Sequence, residues 1–161
     1  MKKESFQFEY NLVSDREQLS NEDRELLDQA LLAATQAYAP YSNFYVGAAA
    51  RLFTGKIVTG SNQENASYPV GSCAERVLLG SIASLFPNSP IQTMAITYRT
   101  QNRKSDIPVS PCGMCRQALV EYENRVGKPI RLLLAGEIGD VLIIESSRML
   151  LPLAFESSHL K

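Results

Sequence analysis

The three cysteines of this chain, Cys73, Cys112 and Cys115, constrain it more than any other feature, because each stands where a helical pattern begins. In "SCAERVLLGSIASLF" the apolar Val77, Leu78, Ile82 and Leu85 line one helical face until Pro87, and "PCGMCRQALVEYEN" opens a second helix on a C-x-x-C pair. At a helix N-terminus the unpaired backbone N–H groups and the macrodipole favour thiolate over thiol. An odd number of cysteines cannot all close into pairs, so metal ligation is the chemistry to consider. Cys112 and Cys115 offer two sulfurs from one helical turn to a tetrahedral ion, and Cys73 can add a third from the other helix. A fold that serves such a site must bring two helix starts together.

The remaining pattern alternates strands and helices. "FQFEYNLV", residues 6–13, alternates aromatic and polar side chains and predicts a strand. Ser20 then caps a helix with an acidic first turn, an apolar face of Leu26, Leu27, Ala30, Leu31 and Ala34, and a stop at Pro40. Strands are expected over about 45–53 and 57–61 around a "TGK" turn, followed by a polar loop through Pro69 that leads to Cys73. "IQTMAITYRT", "PIRLLLAG" and "DVLIIESS" read as further strands, and "RMLLP" as a short helical turn. Such an order predicts a mixed sheet covered by helices on its faces. At 161 residues, with no repeat and no linker, the chain is expected to form one domain over 1–161, a strand extension over 1–19 preceding a catalytic core over 20–156.

Composition narrows the partners. Hydrophobic residues at 45% and charged residues at 20% describe a globular chain, and 16 Lys plus Arg against 17 Asp plus Glu leave a net charge of −1. No excess of positive charge is available to neutralise a phosphate backbone, so a nucleic acid polymer is not an expected partner. The two lysines of "MKKESFQFEYN" precede no apolar run of signal-peptide length, and no segment offers the roughly 18 apolar residues of a membrane span. A cytoplasmic location without membrane attachment is the expectation.

Three protein ligands leave one vertex of a tetrahedron open, as in catalytic rather than structural zinc sites. Glu75, two residues beyond Cys73, can reach that vertex and exchange protons there. Three thiolates on a divalent ion sum to −1, and Arg76 is placed to hydrogen-bond the sulfurs and offset that charge. A C-x-x-C pair alone is also compatible with a structural zinc knuckle or a redox pair, and a Cys₃His site could recruit His159, the only histidine.

Taken together, "CAER" and "PCGMCRQ" resemble the zinc signature of the cytidine deaminases, with Cys73 in the position of the first ligand. "YSNFYVGAA" and "GSNQENASYPVGSCAER" are similar to the substrate-binding segments of the small, homotetrameric nucleoside branch of the cytidine/deoxycytidylate deaminase family. The resemblance implies a three-layer α/β/α sandwich and hydrolysis of cytidine and 2′-deoxycytidine to the uridine nucleosides and ammonia, with one Zn²⁺ per chain. It implies Cys73, Cys112 and Cys115 as zinc ligands, Glu75 as the proton shuttle and Arg76 beside the sulfurs. Asn62 and Glu64 would hold the ribose 3′-hydroxyl, the Ala74 backbone would meet the pyrimidine O2, and Phe44 would pack on the nucleoside. "LLPLAF" is similar to the terminal segment in which an aromatic ring reaches across a subunit boundary onto the base, which nominates Phe155. The chain departs from the pattern at Gln63, usually an aliphatic, in its N-terminal strand, and in a long "NRKSDIPVSP" segment. Deamination of another cytosine nucleoside, such as blasticidin S, is the rival activity, against which the ribose-like "NQENASYP" loop argues. A non-catalytic zinc-stabilised interaction domain is the rival of a different class.

Overall fold

Period-two alternation along the strands decides which helix each side chain meets. In the strand Phe44–Leu52 (β2), Ala48, Ala50 and Leu52 turn to one side of the sheet and Ala49 to the other. The same division repeats in Ile91–Thr100 (β4), where Met94 and Ile96 oppose Ala95, and in Arg131–Ala135 (β5), where Leu132 and Leu134 oppose Leu133 and Ala135. In this computed structural model, which describes residues 1–101 and 103–160, the two apolar faces are covered by different helices.

Helix α1, Asn21–Ala34, lies on the Ala49 side and buries Leu26, Leu27 and Ala30 there. Its start is fixed by the Ser20 Oγ, which accepts a hydrogen bond from the Asp23 N–H at 3.1 Å. It is fixed again by Asp23, whose two carboxylate oxygens accept from Arg131 of β5 at 2.7 and 2.9 Å. Helices α2, Ala74–Leu85, and α3, Gly113–Val126, cover the other face through Leu78, Ile82 and Leu119. The result is a three-layer α/β/α sandwich.

Two glycines set how closely the layers approach. A Cβ on Gly47 of β2 would lie 1.9 Å from the Ala30 carbonyl oxygen of α1. On Gly60, in the strand Ile57–Ser61 (β3), it would lie 2.7 Å from the Leu78 nitrogen and 2.8 Å from the Ala74 oxygen of α2. Only a residue without a side chain lets backbone meet backbone at such distances.

The strand order is β1-β6-β5-β4-β2-β3, with β1 Asn11–Val13 and β6 Val141–Ile144. β4 and β5 run parallel and the other pairs antiparallel, so the sheet is mixed. The β2–β3 hairpin turns over Phe53–Lys56 with Gly55 at φ 83°. Glu123 of α3, 7% exposed, accepts hydrogen bonds from the Ile130 and Ser147 N–H groups at 2.8 and 2.9 Å, which closes its buried charge onto backbone. Among the described residues, no helix is long and apolar enough to cross a membrane.

The N-terminal strand is shorter than its alternation predicts. Pairing extends only from Asn11↔Ile143 to Val13↔Val141, and β6 ends at Ile144, so the partner strand runs out within one residue of Asn11. Phe6, Phe8 and Tyr10 are left exposed. Alternation specifies a face, but a strand also needs a neighbour long enough to pair with it. Of the long "NRKSDIPVSP" segment, Asn102 lies outside the described residues.

Candidate metal centre and active site

Cys73 and Cys112 occupy equivalent positions, each the extended residue that caps the N-terminus of a helix, α2 and α3 respectively. Cys115 follows one turn into α3, so its backbone is helical and its side chain fully buried. The close approach of α2 to β3 at Gly60 seats the start of α2, and α3 packs beside α2 on the same face of the sheet. There the sulfurs of Cys73 and Cys112 stand 3.9 Å apart and those of Cys112 and Cys115 3.5 Å apart, all three lying within 4.8 Å of one another. Ligands about 2.3 Å from a tetrahedral zinc ion are about 3.8 Å from each other, so the donor set has the chemistry and spacing for zinc with one vertex to spare.

Charge is unevenly distributed over the sulfurs. The hydrogen bond from Cys115 is the largest influence holding the Cys73 thiol down to about 6, with smaller help from Cys112 and from the Arg76 charge, against burial and the Glu75 carboxylate. Cys115 is pushed well up by that same hydrogen bond and by its burial. Cys73, at a helix terminus, is thus the thiol of the pair that loses its proton more readily. Glu75, in the first turn of α2 and only 4% exposed, is raised above the ordinary carboxylate range by burial, with its own backbone N–H and Cys115 pulling the other way.

Cys73, Cys112 and Glu75 open onto a cleft of about 680 Å³. Phe44, Asn62, Glu64, Ala74 and Glu75 line it together with Cys73 and Cys112. Asn62 lies just past β3 and its amide is committed to β2: the oxygen accepts from the Val46 N–H at 2.7 Å and the nitrogen donates to the Phe44 carbonyl at 2.9 Å. The Phe44 ring is stacked on Tyr98, with centroids 4.7 Å apart and an interplanar angle of 22°. Glu64 accepts from the Tyr41 and Ser42 N–H groups at 2.9 and 3.3 Å, and its pKa is lowered chiefly by the Ser42 hydroxyl, with these backbone donors adding to it against an opposing desolvation.

Two nominated residues stand elsewhere. Arg76 is exposed and acts on Cys73 through its charge, while the sulfurs are hydrogen-bonded to one another and, at Cys115, to Glu75. Phe155 lies outside the cleft, 58% exposed, its ring against the His159 imidazole at 5.7 Å and its carbonyl accepting from Gln117 at 2.8 Å. His159 thus sits in the C-terminal segment, and among the described residues the three cysteines gather without it. Tyr98, Tyr41 and Ser42 join the site through contacts that no sequence motif states. The "YS" before Phe44 was the available signal for the last two, whereas nothing local marks Tyr98 as the ring beneath Phe44.

A model of the cytidine and deoxycytidylate deaminase zinc-binding region matches residues 20–128. The chain belongs to this family. A cytidine deaminase of Halalkalibacterium halodurans is 35% identical over 139 residues, which span 86% of this chain and 98% of that protein. The crystal structure of cytidine deaminase from Burkholderia pseudomallei is similar with a TM-score of 0.70 and 38% identity, covering 85% of this chain and all of that one. A blasticidin-S deaminase of Bacillus cereus is 33% identical over 106 residues, 65% of this chain and 75% of that protein. Zinc is the cofactor of this deaminase family's matched region, and the three-thiol cluster is the place in the fold whose donor chemistry suits it.

Proposed function

We propose that the chain is a zinc-dependent cytidine deaminase that converts cytidine and 2′-deoxycytidine to uridine and 2′-deoxyuridine with release of ammonia. The observation that carries this reading is the position of Glu75. A carboxyl only 4% exposed, two residues from the helix-capping Cys73, lines the cleft beside the sulfurs, where burial disfavours its charged form and leaves it able to exchange protons.

In this reading Cys73, Cys112 and Cys115 would hold one zinc ion, whose chemistry would be to make a water acidic enough to attack at neutral pH. Glu75 accepts a proton from the attacking water and delivers it to the pyrimidine N3. Glu75 then takes the second proton from the hydroxyl now on C4 and passes it to the amino group; as the C4–N bond breaks, the oxygen stays on C4 as the carbonyl and the nitrogen leaves as ammonia. Ala74 borders the cleft at the first turn of α2, where its backbone N–H can donate to the pyrimidine O2. Glu64 and Asn62 face the sugar, and both are held by backbone hydrogen bonds that fix their orientation before substrate arrives. Phe44, stacked on Tyr98, offers a rigid apolar surface for the nucleoside. Arg76 reduces the negative charge near the sulfurs.

The finer parts of the reading are a core over 20–156 with an extension over 1–19, a homotetramer in the cytoplasm serving pyrimidine salvage, and Phe155 acting on a neighbour's site. Support for the last is that Phe155 stands outside its own cleft, exposed, on a segment rich in apolar residues. Likeness to a blasticidin-S deaminase favours a second reading, in which that nucleoside is the substrate. The test is ultraviolet and ammonia assays on cytidine, 2′-deoxycytidine and blasticidin S, with chelator and with zinc restored. Turnover of the first two that disappears with chelator and returns with zinc is expected; turnover of blasticidin S alone would select the rival, and none on any would overturn both.

A further inference from the structure

The three sulfurs are not equally secured. Cys115 is buried inside the first turn of α3, and Cys73 is held by the contact of α2 with Gly60. Cys112 is exposed and ends the irregular segment that precedes α3. Arg116 is what ties that end down. Its backbone N–H donates to the Cys112 carbonyl at 2.9 Å, and its side-chain Nε donates to the carbonyl of Pro111 at 2.8 Å. The other arm of the guanidinium, Nη1, donates at 3.1 Å to the carbonyl of Leu150, last residue of the 3₁₀ turn Ser147–Leu150. Gln117, beside it, donates from its side chain to the Phe155 carbonyl at 2.8 Å instead.

A guanidinium presents its donors in a rigid planar fork, so bonding two carbonyls from distant parts of the chain fixes them relative to each other. We propose that Arg116 is a positioning residue for Cys112, and that its paired bonds to Pro111 and Leu150 couple the placement of that sulfur to the anchoring of the C-terminal segment. The inference rests on the reading that Cys73, Cys112 and Cys115 hold zinc. Neither the backbone carbonyls nor the guanidinium would touch the ion; their effect passes through the direction in which the helix cap points its thiolate.

The experiment measures zinc loss from the full-length, zinc-loaded protein to a chromogenic chelator, and the sulfur-to-metal absorption of the cobalt-loaded protein. Arg116→Ala is expected to lose zinc at least about 10-fold faster than the parent and to change the cobalt spectrum, in line with other losses of groups that orient metal ligands. Added guanidinium ion should slow the loss again, which a general loss of stability would not allow. Arg116→Lys, with one ammonium for two carbonyls, should fall between, and Gln117→Ala should keep the parent's rate and spectrum. Should Arg116→Ala fail to fold, Arg116→Lys carries the test by the same two readouts. Parent-like release and spectrum in the Arg116 variants, or equal acceleration in Gln117→Ala, would overturn the inference alone. A parent protein that holds no zinc would overturn the ligand reading and this inference with it.

Discussion

Asn62 illustrates how a residue can line a cleft and hold it open at once. Both ends of its amide are bonded to β2, one to Val46 and one to Phe44, at the point where that strand enters the cleft wall. Asn62→Ala leaves a half-buried N–H and carbonyl without partners, which costs roughly 1–3 kcal/mol. Released from that clamp, Phe44 should no longer present a fixed surface, so KM for cytidine is expected to rise by more than kcat falls. A denaturant titration and steady-state kinetics check both parts; an unchanged KM at reduced stability would leave Asn62 a structural residue only. Cys73, Glu75, Cys112, Asn62 and Glu64 were legible in sequence because short motifs carry them at fixed spacings along one helix turn or one loop. Tyr98 beneath Phe44 and Arg116 behind Cys112 were not, since each meets its partner through sheet pairing or across a layer. Asn62's clamp on β2 was also out of reach, because an Asn in a polar loop looks like a turn former until the opposite strand is in place.

At the scale of elements, α2 matters because it delivers Cys73 and Glu75 from its first turn, and Gly60 decides where it sits. A methyl group there would press on the Leu78 nitrogen and Ala74 oxygen at 2.7 and 2.8 Å, neither of which can swing aside as a side chain would. Gly60→Ala is expected to destabilise the protein by roughly 1–3 kcal/mol and to lower zinc content and turnover together, because relief requires α2 to shift. Gly80, in the same helix, has nothing within 4 Å of its missing Cβ. Gly80→Ala should therefore stabilise by roughly 0.5–1 kcal/mol without affecting activity. Melting curves and metal analysis on the pair separate the two cases, and an unaltered zinc content in Gly60→Ala would contradict this account of α2. The helices were legible from caps and apolar faces, as at Ser20 and at the Cys73 and Cys112 starts. The β-strands were legible where both faces are buried, as in β4 and β5. β1 was overextended because Phe6, Phe8 and Tyr10 alternate correctly yet lie past the end of the strand that would pair with them.

For the molecule as a whole, large apolar side chains are left in water along the N-terminal segment, beside the cleft and in the C-terminal segment. Tyr68 is 84% exposed at the cleft, Leu153 is fully exposed and Phe155 is 58% exposed, which is surface that assembly would cover. If Phe155 completes a neighbour's site, inactive Glu75→Gln and inactive Phe155→Ala chains, mixed after dissociation and reassembled, should regain activity above either parent. No recovery, or a fully active monomer by light scattering, would contradict a shared site. The central claim is narrower than assembly: the fold gathers three thiols for zinc and adds one buried carboxyl to move protons. The most direct test is zinc content and cytidine turnover measured on the same preparation of Glu75→Gln. The account predicts about one zinc per chain, as in the parent, with turnover lowered by at least the ~10²-fold typical of lost general acid–base help. Turnover within a few-fold of the parent in a zinc-replete Glu75→Gln protein would contradict it.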